Sequence, residues 1–163
     1  MAKEKIPVTP AIRILRQHKI EFGPHLYNYE EKGGTAVSAR ELGIEEHIVI
    51  KTLVMEDENK SPLIILMHGD CEVSTKNLAR AIGCKQVQPC DPKTAQKQTG
   101  YQVGGTSPFG TRNKLPICAE ASIFDLERVY INGGRRGLLV DIVPADLEKI
   151  LPVQRVNAAI NRQ

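Results

Sequence analysis

Apolar and polar positions along the chain predict a series of short helices and strands, with no internal repeat. Ala11, Ile12 and Leu15 form one apolar face of a helix near residues 10–18, with Thr9 placed to cap it and Pro10 suited to its first position. A short extended segment, His25–Tyr29, follows, and Ser38 to Leu42 reads as a brief helix stopped by Gly43. The strongest strand signals are His47–Met55 and Pro62–Met67, joined by the polar run 56–60, the pattern of an antiparallel hairpin. Ser74 can cap a helix running through Leu78 and Ile82 to Gly83. Lys85–Gln88 suits a short strand, and Asp91-Pro92 opens another helix. Further strands are expected at Leu115–Ala119, Arg128–Ile131 and Leu138–Val143, and a late helix at Pro144-Ala145-Asp146-Leu147. Strands outnumber long helices and do not alternate with them regularly. That order favours an α+β fold, a mixed, curved sheet with helices packed outside it.

Length and composition narrow the class. A chain of 163 residues fits a single domain, and 41% hydrophobic with 25% charged residues reads as soluble and globular. No apolar run approaches the ~20 residues needed to cross a bilayer. Met1 to Pro7 has no apolar leader core, so the expected compartment is the cytosol, with no membrane partner. The four cysteines, Cys71, Cys84, Cys90 and Cys118, form no C-x-x-C pair. The four histidines are scattered along the sequence, so no metal or other cofactor is expected.

The net charge of +3 is unevenly spread. Residues 1–75 carry 9 basic and 12 acidic side chains, whereas 76–136 carry 10 basic and 4 acidic. A positive middle segment suits an anionic partner, and phosphate-rich RNA is the candidate, not DNA.

Three segments interrupt the pattern of core and surface. In Ile48-Val49-Ile50-Lys51-Thr52-Leu53-Val54 a lysine stands mid-strand, sharing a face with Val49 and Leu53. It is either a snorkelling surface lysine or one facing a pocket, and its apolar neighbours favour the pocket. Gly100-Tyr101-Gln102-Val103-Gly104-Gly105-Thr106-Ser107-Pro108-Phe109-Gly110 lacks the P-loop and dinucleotide spacings. Its paired glycines allow a tight turn or a close backbone approach to a ligand. Ile131-Asn132-Gly133-Gly134-Arg135-Arg136-Gly137-Leu138 is either a hairpin with a basic tip or a loop flanking a pocket, its arginines available to RNA phosphates.

Together these segments resemble the YbaK/prolyl-tRNA-synthetase-associated editing domain family. The likeness rests on Ile50-Lys51-Thr52-Leu53-Val54, on Thr99-Gly100-Tyr101 followed by Gly104-Gly105, Ser107-Pro108 and Gly110, and on Gly133-Gly134 with Arg136-Gly137-Leu138. It covers residues 9–151 and points toward the free-standing Cys-tRNA(Pro) deacylases. The resemblance implies a barrel-like sheet, a pocket for the aminoacyl-adenosine end of tRNA, and hydrolysis of a mischarged ester. It implies catalytic roles for Lys51, Gly104 and Gly105, with the loop amides facing the developing oxyanion. It implies substrate contacts from Tyr27, Thr52, Ser107, Asn132, Gly133 and Gly134. Arg112, Lys114, Arg135 and Arg136 are the expected RNA-binding residues, and tRNA(Pro) and prolyl-tRNA synthetase the implied partners. Three positions depart from the pattern. The phenylalanine-glycine after the early strand is replaced near Gly34-Thr35, a serine by Asn132, and an aspartate found in some relatives by Leu139. They lie near the pocket in relatives, which leaves the amino acid removed open.

Two other classes remain in view. A non-catalytic tRNA-binding or synthetase-docking module needs the basic segment but not Lys51 or the glycine pair. A thiol-redox protein needs a low-pKa cysteine, and Cys84 beside Lys85 is the one local hint.

Overall fold

The computed structural model describes residues 6–161. The absence of a leader core was read from Met1 to Pro7, most of which lies outside the described residues. Helix α1 (Pro10–Gln17) forms where the pattern places it, Thr9 Oγ1 accepting from Ile12 N at 3.1 Å. Strand β1 (Gly23–Leu26) starts and ends earlier than His25–Tyr29. Tyr27 extends it by one hydrogen bond, its N donating to Gly137 O at 2.9 Å. Helix α2 (Gly34–Leu42) begins four residues before Ser38, because Gly33 and Gly34, which suggest a turn, serve as its N-cap and first residue. Gly43 ends it in the left-handed region at φ 67°.

A 3-10 turn at Glu46–Ile48 leads into β2 (Val49–Asp57), which pairs antiparallel with β3 (Pro62–His68) as the expected hairpin. The three-residue β4 (Cys71–Val73) then precedes α3 (Thr75–Ile82), whose cap Ser74 accepts from Asn77 N. Strand β5 (Val87–Pro89) sits slightly beyond its expected place. Helix α4 (Pro92–Thr99) is capped by Asp91, and β6 (Ile117–Glu120), β7 (Val129–Arg135) and β8 (Leu138–Ile142) follow. Helix α5 (Ala145–Ile150) leads to β9 (Val153–Val156) and β10 (Ala159–Asn161).

The main sheet runs β1-β8-β7-β2-β3-β6-β9, with β5 also on β2, while β10 pairs with β4. It is mixed, as expected: β2/β7, β3/β6 and β6/β9 are parallel and the other pairs antiparallel. The long β2 pairs with β7 at Val49 and Ile50 and with β5 at Met55–Asp57.

The two faces of β2 bury different clusters. Ile50 and Val54 join α1 and the inner residues of β3, β7 and β8 in the largest core, where Ile12, Leu15, Ile64 and Val140 are fully buried. On the opposite face Val49 packs with Ala39 and Leu139, while Leu53 and Met55 join a third cluster with Leu78 of α3. Lys51 falls between Val49 and Leu53, at the gap between those two clusters, and is half-buried. Strand alternation therefore places a cation at the seam where α2 hands over to α3.

Candidate functional site

Register connects Lys51 to the second glycine turn. One step beyond the parallel Ile50–Ile131 pair, Lys51 comes level with Asn132 on the same sheet face, and Asn132 pairs with Leu139 and Leu139 with His25. Leu139, where some relatives carry an aspartate, is 4% exposed among Ala39, Val49, Tyr27 and Tyr130. The wall beside Lys51 is therefore apolar. Thr52 does not share this face. It sits level with Leu66 on the α1 side, and its buried Oγ1 has no hydrogen-bond partner among the described residues. His25 Nε2 lies 2.6 Å from Asp141 Oδ1, but β8 and β7 stand between β1 and β2. His25 stands three strand spacings from β2 and Asp141 two, roughly 14 and 10 Å, too far for either to serve Lys51 as a base.

The two glycine-rich turns dock on each other. Asn132 Nδ2 donates to Gly104 O at 3.0 Å, its Oδ1 accepts from Gly134 N and Arg135 N, and Arg136 Nε donates to Val103 O at 2.8 Å. Gly105 is buried at this junction, where a Cβ would lie 2.8 Å from Arg136 N and 3.0 Å from Arg135 C. Close approach of two backbones, not a positive φ, requires glycine there. The Gly105 N–H donates to Gln102 O at 2.8 Å, so it is not available to an oxyanion, which corrects the expectation for that amide. Gly104 is exposed at φ 86°, and its N–H has no acceptor among the described residues.

Three expected contact residues shape the turns from within. Ser107 is fully buried, its hydroxyl accepting from Phe109 N at 3.2 Å. Gly133 O accepts from Thr9 Oγ1 at 2.5 Å, and a Cβ on Gly134 (φ 96°) would lie 2.9 Å from the Tyr101 ring. Gly133 and Gly134 thus tie the second turn to the start of α1, while Ser107 holds the first turn from inside.

Beside the turns lies a cavity of about 410 Å³ lined by Leu26, Tyr27, Tyr29, Arg135 and Arg136, with Pro7 and Gly137. A larger hollow of about 480 Å³ between α3 and β5 shares none of its lining residues with this cavity or the glycine turns, and the chemistry-bearing residues favour the smaller one. Burial raises the Tyr27 hydroxyl above the usual tyrosine range. Arg136 lies over the Tyr29 ring, 5.1 Å from its centroid. Held at both the ring and Val103, Arg136 belongs to the pocket wall and not to a free basic tip. Arg112, Lys114 and Arg135 are exposed, and Arg112 Nη1 reaches Lys97 O at the end of α4.

The histidines that are scattered in sequence partly converge in space. His47 and His68 stack with ring centroids 3.9 Å apart. Asp70 Oδ1 lies 2.8 Å from His47 Nδ1 and accepts from Cys71 Sγ at 3.5 Å. These three side chains offer donor atoms within 4.8 Å of one another, a set able to hold a metal ion, and each is already engaged in a hydrogen bond. The His68 ring nitrogens lie 2.8 Å from His47 O and Ser122 Oγ. The knot clamps the entry of β2 to the β3–β4 connection, a role that residues 21 or more positions apart do not signal in sequence. Burial and Asp70 push the Cys71 thiol up, against the pull of the Lys51 ammonium. Burial likewise raises Cys84 and Cys118, and pushes Cys90 up to about 12. No described cysteine is thus poised as a thiolate, which removes the hint at Cys84.

Comparison with known proteins shows the family and the fold. Residues 30–150 match the family described as Aminoacyl-tRNA editing domain. An Enterococcus faecalis protein assigned as a Cys-tRNA(Pro)/Cys-tRNA(Cys) deacylase is 32% identical over 146 residues, 88% of this chain and 89% of the relative. A proline–tRNA ligase of Thermodesulfovibrio yellowstonii is 30% identical over 136 residues, 83% of this chain but only 22% of the ligase. Among solved structures, one described as a trans-editing enzyme for prolyl tRNA synthetase superposes with a TM-score of 0.79 at 18% identity, covering 95% of this chain and all of that one. That likeness establishes the fold, and the sequence match establishes the family: the chain belongs to the aminoacyl-tRNA editing domain family.

Proposed function

We propose that this chain is a single editing domain that hydrolyses the ester of mischarged aminoacyl-tRNA in trans, with Cys-tRNA(Pro) as its main substrate. The observation that carries the reading is the run Lys51, Asn132, Gly104: a cation on the sheet, one register step beyond the Ile50–Ile131 pair and so level with Asn132, whose side chain bonds to the carbonyl of an exposed glycine. Lys51 would polarise or anchor the ester, and the Gly104 N–H would face the oxyanion as the carbonyl is attacked. The attacking group is water or, for a cysteinyl ester, the substrate's own thiol, and in both cases the protein acts mainly as a template. The specific tRNA(Pro) assignment is supported by what the deacylase and ligase relatives act on, and prolyl-tRNA synthetase is the enzyme that would supply such a substrate. No helix among the described residues is long and apolar enough to cross a membrane. A cytosolic setting, where tRNA is charged, suits the proposal.

Purified protein without any synthetase is expected to release cysteine from Cys-tRNA(Pro) in many turnovers. Because the thiols are raised by burial and the His47–Asp70–Cys71 donors are engaged with one another, turnover should persist in EDTA. It should also persist, within a few-fold, in each cysteine-to-serine variant that stays folded. Tight tRNA binding with no release would return the non-catalytic docking reading.

Docking and chemistry should separate. Arg112→Glu and Lys114→Glu alter exposed cations outside the pocket. They are expected to weaken tRNA binding and lower the magnitude of its log–log salt slope by about 1 per lost phosphate contact. Cleavage of a minimal aminoacyl-adenosine should stay near the wild-type rate. Equal losses on both substrates would place these residues in the pocket or the fold instead.

A further inference from the structure

Apart from the glycine turns and their cavity, the His47–Asp70–Cys71 knot gathers an imidazole nitrogen, a carboxylate oxygen and a sulfur within 4.8 Å of one another. A histidine bonded to an aspartate is by itself an ordinary surface pair. The sulfur beside it changes the chemistry on offer. His47 Nδ1 is 2.8 Å from Asp70 Oδ1, and Cys71 Sγ is 3.5 Å from the same oxygen. Donors bound at ~2.0–2.3 Å around a tetrahedral zinc ion stand roughly 3.3–3.6 Å apart. Of these two pairs the second already has that spacing, and the first needs to open by about 0.5 Å.

Neighbouring groups hold the donors in place. The His68 ring stacks on His47 with its plane tilted by only 6°, and its nitrogens lie 2.8 Å from His47 O and Ser122 Oγ. Ser122 Oγ in turn donates to Glu120 Oε2. Outer partners of this kind fix the orientation of a metal-binding imidazole. Asp70 sits in the turn between β3 and β4, where strand alternation lapses, so it and the consecutive Cys71 reach one point. Cys71 is buried against β10, and Asn161 Oδ1, accepting from Sγ at 3.6 Å, is a further oxygen within reach. The His47 and Asp70 side chains are 42% and 44% exposed, which opens the set to an ion from solvent. Sulfur and imidazole with a single carboxylate suit zinc, whereas magnesium and calcium take oxygen donors.

We propose that His47, Asp70 and Cys71 form a zinc-binding site that pins the turn before β2 to the β3–β4 turn and, through Cys71, to the β4–β10 pair. The ion takes the place of the protons that now link these side chains, and the Cys71 thiol proton leaves to solvent as the Zn–S bond forms. Hydrogen bonds keep the donors near their places without the ion, so the metal adds stability and takes no part in ester cleavage. Turnover that persists in EDTA is therefore expected with the site filled or stripped. The site stands independently of the deacylase reading.

The full chain, stripped with chelator under reducing conditions, is titrated with Co²⁺ as an optical probe and with Zn²⁺ by calorimetry. Wild type should bind one equivalent of cobalt with a thiolate-to-metal charge-transfer band, and zinc should displace it. Cys71→Ser should lose that band, and Cys84→Ser should keep it. His47→Ala and Asp70→Asn alter half-exposed side chains, and each should weaken zinc binding by about tenfold or more. Zinc at about a hundred times its Kd should raise the folded-to-unfolded ratio of wild type about a hundredfold, with little effect on Cys71→Ser. If Cys71→Ser does not fold, His47→Ala and Asp70→Asn decide the matter. The proposal is overturned by wild type that binds no equivalent of either ion. It is equally overturned by a band that survives Cys71→Ser, or by zinc affinity that both His47→Ala and Asp70→Asn retain.

Discussion

Replacing Lys51 with alanine is expected to lower the rate of ester cleavage by about 10²–10³-fold, the usual cost of losing one preorganised charge-stabilising group. The fold should survive. Lys51 is half-buried at a seam, and the clusters on either side, around Val49 and around Met55, remain complete without its stem. The loss should appear in single-turnover rate at saturating enzyme and should be equal on tRNA and on aminoacyl-adenosine. Lys51→Arg is not expected to rescue fully, since a planar guanidinium cannot occupy the position of a compact ammonium. A folded Lys51→Ala protein that cleaves at the wild-type rate would remove Lys51 from the chemistry.

Gly105→Val should be at least as damaging by a different route. The new Cβ would stand 2.8 Å from Arg136 N and 3.0 Å from Arg135 C, backbone atoms that cannot swing aside as a side-chain tip does. The two turns must separate, which strains the Asn132–Gly104 and Arg136–Val103 bonds. Displacing a catalytic group by about 1 Å can cost 10²-fold, and here both the Gly104 amide and the Arg136 side chain over Tyr29 would move. The effect should again fall on the minimal substrate as well as on tRNA. It should be joined by a stability loss of about 1–3 kcal/mol, typical of overpacking, read as a lower denaturation midpoint. Full activity in a folded Gly105→Val protein would mean that the turns need not touch.

The two variants also show how much of the fold and candidate site was legible in the sequence. Helix starts with a local chemical signal were legible: Thr9-Pro10, Ser74 and Asp91-Pro92 each cap a helix within three residues of the bond they make. So was the β2–β3 hairpin, whose two apolar runs are close in sequence and pair directly. The mixed sheet followed from the order of those elements. Strands β4, β9 and β10 are three or four residues long and gain their form from partners far along the chain, such as Cys71 against Asn161. Local pattern carries no trace of such pairing.

The site divides in the same way. Lys51 stands out because a cation in an apolar strand breaks a short-range rule. Gly105 stands out too, but the reason for it, the backbone at 135–136, lies thirty residues on. Tyr29 carried no signal of its own, because its partner Arg136 is more than a hundred residues away. Thr52 and Ser107 show the converse limit. Motif matching brings them into the site, while strand alternation and burial turn Thr52 to the other face and Ser107 inward.

The central claim is selective removal of a wrong amino acid, and a deacylation panel on one tRNA tests it most directly. Purified protein is incubated with Cys-tRNA(Pro), Ala-tRNA(Pro) and Pro-tRNA(Pro) at equal concentration, and release is compared with spontaneous hydrolysis. The expected result is rapid loss of cysteine with proline left in place, the apolar wall at Leu139 and Val49 favouring a small, weakly polar side chain. Release no faster than the spontaneous rate for all three, or proline removed as fast as cysteine, would contradict it.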